Sequence, residues 1–307
     1  MTGPPVPFSA LPLVRNDTAP KRLNAWGAYG ADDEVGFLNR QTPSIIAAAA
    51  GSEIKTGIRA FVKNVYQKKP RVVHDDTWTL NTQSSSQWDG LRHYGYQAAA
   101  RFYNDVTVDD IAGTGTRGQS NADILGIQNV ARRGGVTGRG ILVDFARWAT
   151  TTDEGKRDST DIKLDWLKKT LAYQGTEVRF GDILVVRSGF FPAFRALTAE
   201  QLAALQEMQS PCLGGVEQSD EVLEWIWNNF SAVASDHPSF ERWPSRYDWS
   251  MHEVLLAGWG CIIGELFDLE ELSKECERQG RWSFFVSSVP CHVPGGVASP
   301  PNAVAVF

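Results

Sequence analysis

The chain has 307 residues, of which 42% are hydrophobic and 21% are charged, and it carries a formal net charge of −6. This balance is typical of a globular protein with a substantial core and excludes a chain that is disordered over most of its length. The acidic balance argues against a nucleic-acid partner, which needs clustered Lys and Arg, and no apolar run approaches the roughly 20 residues that span a bilayer.

The N-terminal residues and the cysteines predict a cytoplasmic protein. The Pro-rich first residues lack the basic and apolar regions of a secretory signal. The four cysteines have no CxxC spacing of the kind that binds metals, and in a chain of this size they indicate reduced thiols. We interpret residues 1–25 as an extended N-terminal arm and residues 26–307 as one domain, because no change in composition marks a linker.

The predicted elements begin with a helix that opens at Thr42-Pro43, with Thr as the cap and Pro in the first turn. Apolar spacing predicts further helices over residues 124–132, 164–173, 198–208, 220–227, 250–257 and 269–279. Strands are predicted over residues 58–66, 139–145, 182–189, 231–236, 261–266, 282–289 and 303–307. Because these elements do not alternate regularly, they favour a single α/β domain with a mixed, strongly curved sheet and flanking helices.

The segment from Gln83 to His93 carries the richest set of reactive side chains. Gln83, Gln87 and Asp89 are evenly spaced, so their side chains face one side of an extended chain, and His93 has the same parity. A carboxylate and an imidazole brought together in this way can do acid–base catalysis near neutral pH. The alternative is a polar loop held by serine and amide hydrogen bonds, and spacing alone does not decide between the two.

His252 and Glu265 form a second candidate pair. Glu265 lies within the apolar run that starts at Cys261. Because burying a lone carboxylate is costly, this residue needs an Arg, a His or a metal as its partner. The alternative is a structural ion pair.

The remaining histidines and motifs are less informative. Cys291 and His292 are adjacent, so on a strand they point to opposite faces, and we predict a core cysteine and a rim histidine rather than a nucleophilic pair. His74 precedes Asp75-Asp76, which suggests a cap or rim contact, and His237 precedes Pro238 in a loop, so neither indicates a site by itself. The chain also lacks a GxxxxGK[ST] loop, a GxSxG elbow and an HExxH helix.

The segment from Gln83 to His93 resembles the HxGTHxDxPxH signature of the cyclase superfamily, which includes bacterial-type kynurenine formamidase and isatin hydrolase. Gln83 and Gln87 stand where the signature has its first and second His. Asp89 matches the signature Asp, and His93 matches the closing His. Residues 138–144 and 181–189 are similar to two strands of the family, and residues 290–305 resemble its C-terminal ending, so the resemblance runs from about Trp26 to the C-terminus.

The resemblance implies a swivelling β/β/α-like domain that is a homodimer or homotetramer. The family uses a divalent metal, Zn or Mn, to activate water for opening an amide or a cyclic imide-like carbonyl. His93 corresponds to its proton shuttle, and Asp89, His252 and Glu265 fall at positions of its metal ligands. We therefore expect these four residues to be catalytic. The expected contacts of a small cyclic or aromatic carbonyl substrate are Gln83, Gln87, Trp88, Arg92 and Tyr94.

The chain departs from the signature at the two glutamines, because neutral amides replace imidazoles and are poor ligands for zinc. Three hypotheses follow. A weaker metal site on Asp89, His252 and Glu265 supports hydrolysis, or a metal-free site uses His93 as the acid or base while the amides bind substrate carbonyls. The metal-free site suits dehydration, isomerisation or ring closure as well as hydrolysis. In the third hypothesis, which the retained Asp, His and Glu residues disfavour, the pocket binds a small molecule without turnover.

Overall fold

The computed structural model describes residues 6–13, 22–40, 64–77, 80–83, 85–113, 121–152, 161–208 and 212–307. The helix predicted to open at Thr42 and most of the strand predicted over residues 58–66 lie outside the described residues. Within them, no helix is long and apolar enough to cross a bilayer.

A mixed sheet is the centre of the fold. The strands, in chain order, are β1 (Asn64–Gln67), β2 (His74–Thr77), β3 (Gln87–Asp89), β4 (Arg101–Phe102), β5 (Val106–Thr107), β6 (Val136–Val143), β7 (Asp161–Ile162), β8 (Asp182–Val186), β9 (Gly215–Val216), β10 (Phe230–Ser235), β11 (Ile263–Glu265), β12 (Ser283–Ser288), β13 (Ala298–Ser299) and β14 (Ala303–Val306). Eight of them form one sheet in the order β13-β3-β11-β10-β8-β6-β12-β14. The neighbours β6, β8, β10 and β11 run parallel, and the pairs at both ends of the sheet are antiparallel.

Helices flank this sheet. The α-helices are α1 (Val108–Ala112), α2 (Gln128–Arg132), α3 (Phe145–Thr151), α4 (Leu164–Tyr173), α5 (Phe190–Arg195), α6 (Ala199–Glu207), α7 (Asp220–Asn229) and α8 (Glu270–Gln279). Short 3₁₀ helices span Phe8–Ala10, Gly36–Arg40, Tyr103–Asp105 and Asn121–Asp123, and a π-helix spans Glu253–Gly258.

The predicted fold class, one α/β domain on a mixed, curled sheet with flanking helices, is confirmed. The strands β8 and β10 are buried along their whole length, as expected for parallel strands that are covered on both faces. One apolar core joins the sheet to the helices on it. Three smaller sheets, β1–β2, β4–β5 and β7–β9, lie outside the main sheet.

Two of the predicted helices differ from the structure in physically informative ways. The helix predicted over residues 124–132 starts only at Gln128, because Leu125 adopts φ 52°, which no right-handed helix allows. The helix predicted over residues 250–257 continues as a π-helix, Glu253–Gly258, directly after His252. A π-helical turn is rare and is frequently found at functional sites.

The described part of the N-terminal segment packs against the core. The indole N–H of Trp227 donates to the carbonyl of Val6 at 3.0 Å, and that of Trp259 donates to the carbonyl of Leu23 at 2.6 Å. Leu11 is buried in the same cluster. These contacts fix the segment beside the π-helix that follows His252.

Candidate active site

The strand β3 positions the first two polar residues of the site. It lies between β11 and β13, with Gln87 opposite Glu265 and Asp89 opposite Ile263. Because directly paired residues of an antiparallel ladder present their side chains on one face, Gln87, Asp89 and Glu265 share a face of the sheet. All three are buried. The even spacing predicted for Gln87 and Asp89 is thus what brings them together.

The two glutamines at the signature positions bind the acidic residues. The amide N–H of Gln83 donates to Oδ1 of Asp89 at 2.5 Å. The amide N–H of Gln87 donates to Oε2 of Glu265 at 2.9 Å. Each carboxylate therefore receives a neutral donor from the position at which the signature has an imidazole.

His252 lies between two buried carboxylates. Its Nε2 is 3.0 Å from Oε1 of Glu265, and its Nδ1 is 2.8 Å from Oε2 of Glu241. The other oxygen of Glu241 accepts the backbone N–H of His252 at 3.1 Å. Burial alone would lower the pKa of His252, but the charge and hydrogen bond of Glu241, with those of Glu265, raise the pKa well above its usual value. His252 is therefore an imidazolium at neutral pH.

The two glutamates that hold His252 differ in protonation. Burial raises the pKa of Glu265 to about 7, against the hydrogen bond and charge of His252 that lower it. Burial also acts to raise the pKa of Glu241, but the charge of His252 and its hydrogen bonds outweigh burial and leave the pKa lowered. Glu241 thus neutralises His252, and Glu265 is an acid that exchanges its proton near pH 7.

His93 and Asp89 face each other across a gap. His93 Nε2 is 4.0 Å from Asp89 Oδ2, which is too long for a hydrogen bond. Among the described residues, neither that buried oxygen nor the buried Oε1 of Gln87 has a hydrogen-bond partner. Burial lowers the pKa of His93, with Asp89 opposing and the nearby His252 adding to the effect. His93, whose side chain is 22% exposed, is therefore a neutral base that a small molecule can reach.

Of the remaining residues predicted to contact substrate, Tyr94 lies next to His252, whereas Trp88 and Arg92 have other partners. The ring centroid of Tyr94 is 5.6 Å from that of His252. Trp88 points to the opposite face of β3, where its indole N–H donates to Ser288 Oγ at 2.9 Å. Arg92 donates to backbone carbonyls, including that of Gly295 at 3.0 Å. The structure thus directs Trp88 into the core, because neighbouring residues on a strand face opposite ways, and uses Arg92 to tie loops together.

Sequence reasoning missed Glu241 and misjudged Cys291. Glu241 lies in a loop 11 residues before His252, and no periodic pattern links the two positions, so the sequence contains no signal for their contact. The prediction of a core cysteine at Cys291 is wrong, because residues 289–297 form an exposed loop rather than a strand. His292 is exposed, as predicted.

Asp89, His93 and His252 each offer one potential ligand atom within 4.8 Å of one another, a grouping that could hold a metal ion. However, Nδ1 of His252 contacts Glu241, its Nε2 contacts Glu265, and the amides of Gln83 and Gln87 stand where the signature has two imidazoles. What remains free is one oxygen of Asp89, one amide oxygen of Gln87 and one nitrogen of His93. This donor set does not fit the Zn or Mn site that the signature implies.

Comparison with known proteins gives consistent matches. The family model described as "Putative cyclase" matches residues 38–242. The crystal structure of a novel cyclase is 31% identical, with a TM-score of 0.76 over 92% of this chain and 99% of that one. Isatin hydrolase A from Ralstonia solanacearum is 14% identical, with a TM-score of 0.52 over 86% of this chain and 97% of that one. An isatin hydrolase bound to the product analogue thioisatinate is 14% identical, with a TM-score of 0.51 over 80% of each chain. No curated protein matches.

Proposed function

This chain belongs to the cyclase family, and from that premise we propose that it hydrolyses a C–N or C–O bond in a small cyclic or aromatic carbonyl compound. One observation carries the proposal: the neutral, reachable Nε2 of His93 faces the unpartnered Oδ2 of Asp89 at 4.0 Å. A single water between these atoms can hydrogen-bond to both. The pair is thus suited to activating water by general base catalysis.

The proposed reaction uses His93 first as a base and then as an acid. Nε2 of His93 takes one proton of the water while Asp89 Oδ2 accepts a hydrogen bond from the other. The water oxygen bonds to the substrate carbonyl carbon, and the C–N or C–O bond of the ring breaks. His93 then returns the proton to the departing nitrogen or oxygen, which restores the neutral imidazole.

One other group supports this reaction. The free Oε1 of Gln87 is a buried acceptor that needs a donor, such as the N–H of a cyclic amide or imide. This acceptor therefore favours a substrate in which an N–H adjoins the reacting carbonyl.

A metal-independent lyase or isomerase on a similar compound is the second candidate function. The neutral His93 and the glutamic acid Glu265, which titrates near pH 7, can move a proton between two positions without adding water. Dehydration or isomerisation would need no change in the residues of the site.

Mass spectrometry of small cyclic carbonyl compounds separates these functions. We expect the protein to convert at least one member of a panel containing phthalimide, isatin and dihydrocoumarin into a product heavier by one water. A product of equal mass or one lighter by a water would support the isomerase or lyase. Compounds that are bound and recovered unchanged would identify a binding protein and reject the hydrolase.

A further inference from the structure

A second neutral imidazole, that of His237, lies at the carboxyl end of β10, the strand that pairs with β11. His237 follows Ser235, the last residue of that strand, and its carbonyl accepts the backbone N–H of Leu266 at 3.0 Å. Leu266 directly follows Glu265, and its own carbonyl accepts the hydroxyl of Ser86 at 2.5 Å. His237 is therefore held next to the segments that supply Glu265 and Gln87.

The backbone at this junction is strained at Leu266. Leu266 adopts φ 52°, in the left-handed region that a branched side chain avoids. Such strain persists where surrounding contacts hold it, and it clusters at binding and catalytic sites. The site also lies at the carboxyl ends of the parallel strands β8, β10 and β11, where open α/β sheets bind their ligands.

The ring of His237 presents an unused acceptor. Its Nδ1 is 2.9 Å from the carbonyl oxygen of Ser239, and because a carbonyl only accepts, Nδ1 carries the hydrogen. Burial lowers the pKa of His237, so the ring is neutral and Nε2 keeps its lone pair. His237 is only 5% exposed, and no hydrogen bond to Nε2 is formed within the part of the chain that the structure describes. Nε2 itself is not fully buried, so a ligand that supplies a donor can reach it.

Aromatic side chains of α5 form an apolar wall next to this acceptor. The ring of Phe190 contacts that of His237 edge-on at 5.4 Å and stacks on Phe194 at 5.6 Å. Phe194 is 40% exposed. The carboxylate of Asp236 accepts the backbone N–H of Phe190 at 3.1 Å, which fixes the start of α5 to the end of β10. A flat ring can thus pack on the phenylalanines while its polar substituent reaches His237.

Building on the proposed function, we propose that His237 contacts the substrate and recognises a hydroxyl or amino group on the ring of a planar compound. Nε2 of His237 accepts the hydrogen bond, and Phe190 and Phe194 pack against the ring. This substituent is a different group from the carbonyl that the water activated by His93 attacks. The preferred substrate is therefore a hydroxylated or aminated ring fused to a cyclic carbonyl, which binds more tightly than its unsubstituted counterpart.

Calorimetric titration in a His93→Ala background tests this subsite without consuming the ligand. The probes are 3-hydroxyphthalimide and 4-hydroxyphthalimide, each compared with its methoxy counterpart, which keeps the oxygen but has no donor. We expect at least one hydroxy compound to bind about tenfold more tightly than its methoxy partner, the gain of roughly one hydrogen bond.

Substitutions at His237 separate binding from structure. His237→Asn retains an N–H for the Ser239 carbonyl but lacks Nε2, so we expect the preference for the hydroxy compound to disappear. His237→Gln, which places an oxygen near the Nε2 position, should restore part of the preference. His74→Asn, at an exposed histidine on β2, should leave the preference unchanged.

Three results would overturn the subsite: equal affinities within both pairs, a preference that survives in His237→Asn, or no binding of any of the four compounds. The proposed hydrolase activity is tested by a different measurement, which is whether a compound of the cyclic carbonyl panel gains the mass of one water. A binding preference without turnover would leave the subsite standing and reject the hydrolase.

Discussion

Replacing His93 with alanine is expected to reduce kcat/KM by about 10²–10⁴-fold, the usual contribution of a positioned acid or base. The imidazole is the group that takes the proton from water in the proposed reaction, and no other neutral base faces Asp89 within the described residues. The side chain is partly exposed, at 22%, and makes no direct hydrogen bond to Asp89, so its removal should leave the melting temperature nearly unchanged. Steady-state kinetics on a compound that the wild type converts provide the measurement.

The pH profile links this loss to His93 itself. A general base acts in its neutral form, so the wild-type rate falls as the pH drops through the pKa of His93. Because burial lowers that pKa, the midpoint of the acid limb of kcat/KM should lie below the usual value of 6.5. The residual activity of His93→Ala should lack this limb, and His74→Ala should match the wild type. Near-wild-type turnover by His93→Ala would refute the assignment.

Replacing Glu241 with alanine is expected to lower the free energy of unfolding by about 3–5 kcal/mol, since removing one partner leaves a buried charge poorly compensated. Glu241 is fully buried and binds both Nδ1 and the backbone N–H of His252. Urea unfolding followed by tryptophan fluorescence measures the change. Glu241→Gln keeps the volume and removes the charge, so it should lie between the wild type and the alanine variant.

An exposed ion pair provides the matched control for Glu241. Glu275 binds Arg278 on the solvent-facing side of α8, with the guanidinium 2.5 Å from the carboxylate. Exposed pairs contribute little to stability, so Glu275→Ala should unfold at nearly the wild-type urea concentration. If Glu241→Ala were as mild as Glu275→Ala, the interpretation of Glu241 as the charge partner of His252 would be wrong.

The elements that the sequence predicted well are those that local spacing determines. The helix α4 spans residues 164–173 as predicted, because its apolar residues recur at helical spacing. The strands β8 and β10 were predicted from short apolar runs bounded by polar residues and glycine. By contrast, the predicted start of α2 was wrong because the positive φ of Leu125 depends on its tertiary setting.

The sequence predicted residues of the site only where they share one strand or where burial of a charged side chain requires a partner. Even spacing placed Gln87 and Asp89 on one face, and the cost of burying Glu265 required a partner such as His252. Glu241 and His237 had no such signal, because both come from the loop after β10 and reach the site through tertiary contacts. Their chemistry follows from hydrogen bonds that no spacing rule encodes.

We propose that His93 and Asp89 activate water by acid–base catalysis and that the site needs no resident metal. The most direct test is the metal content of the purified protein, measured together with turnover before and after dialysis against a chelator. We predict far less than one divalent ion per chain and unchanged turnover after dialysis. One ion per chain, whose removal abolishes turnover and whose return restores it, would contradict a metal-free mechanism.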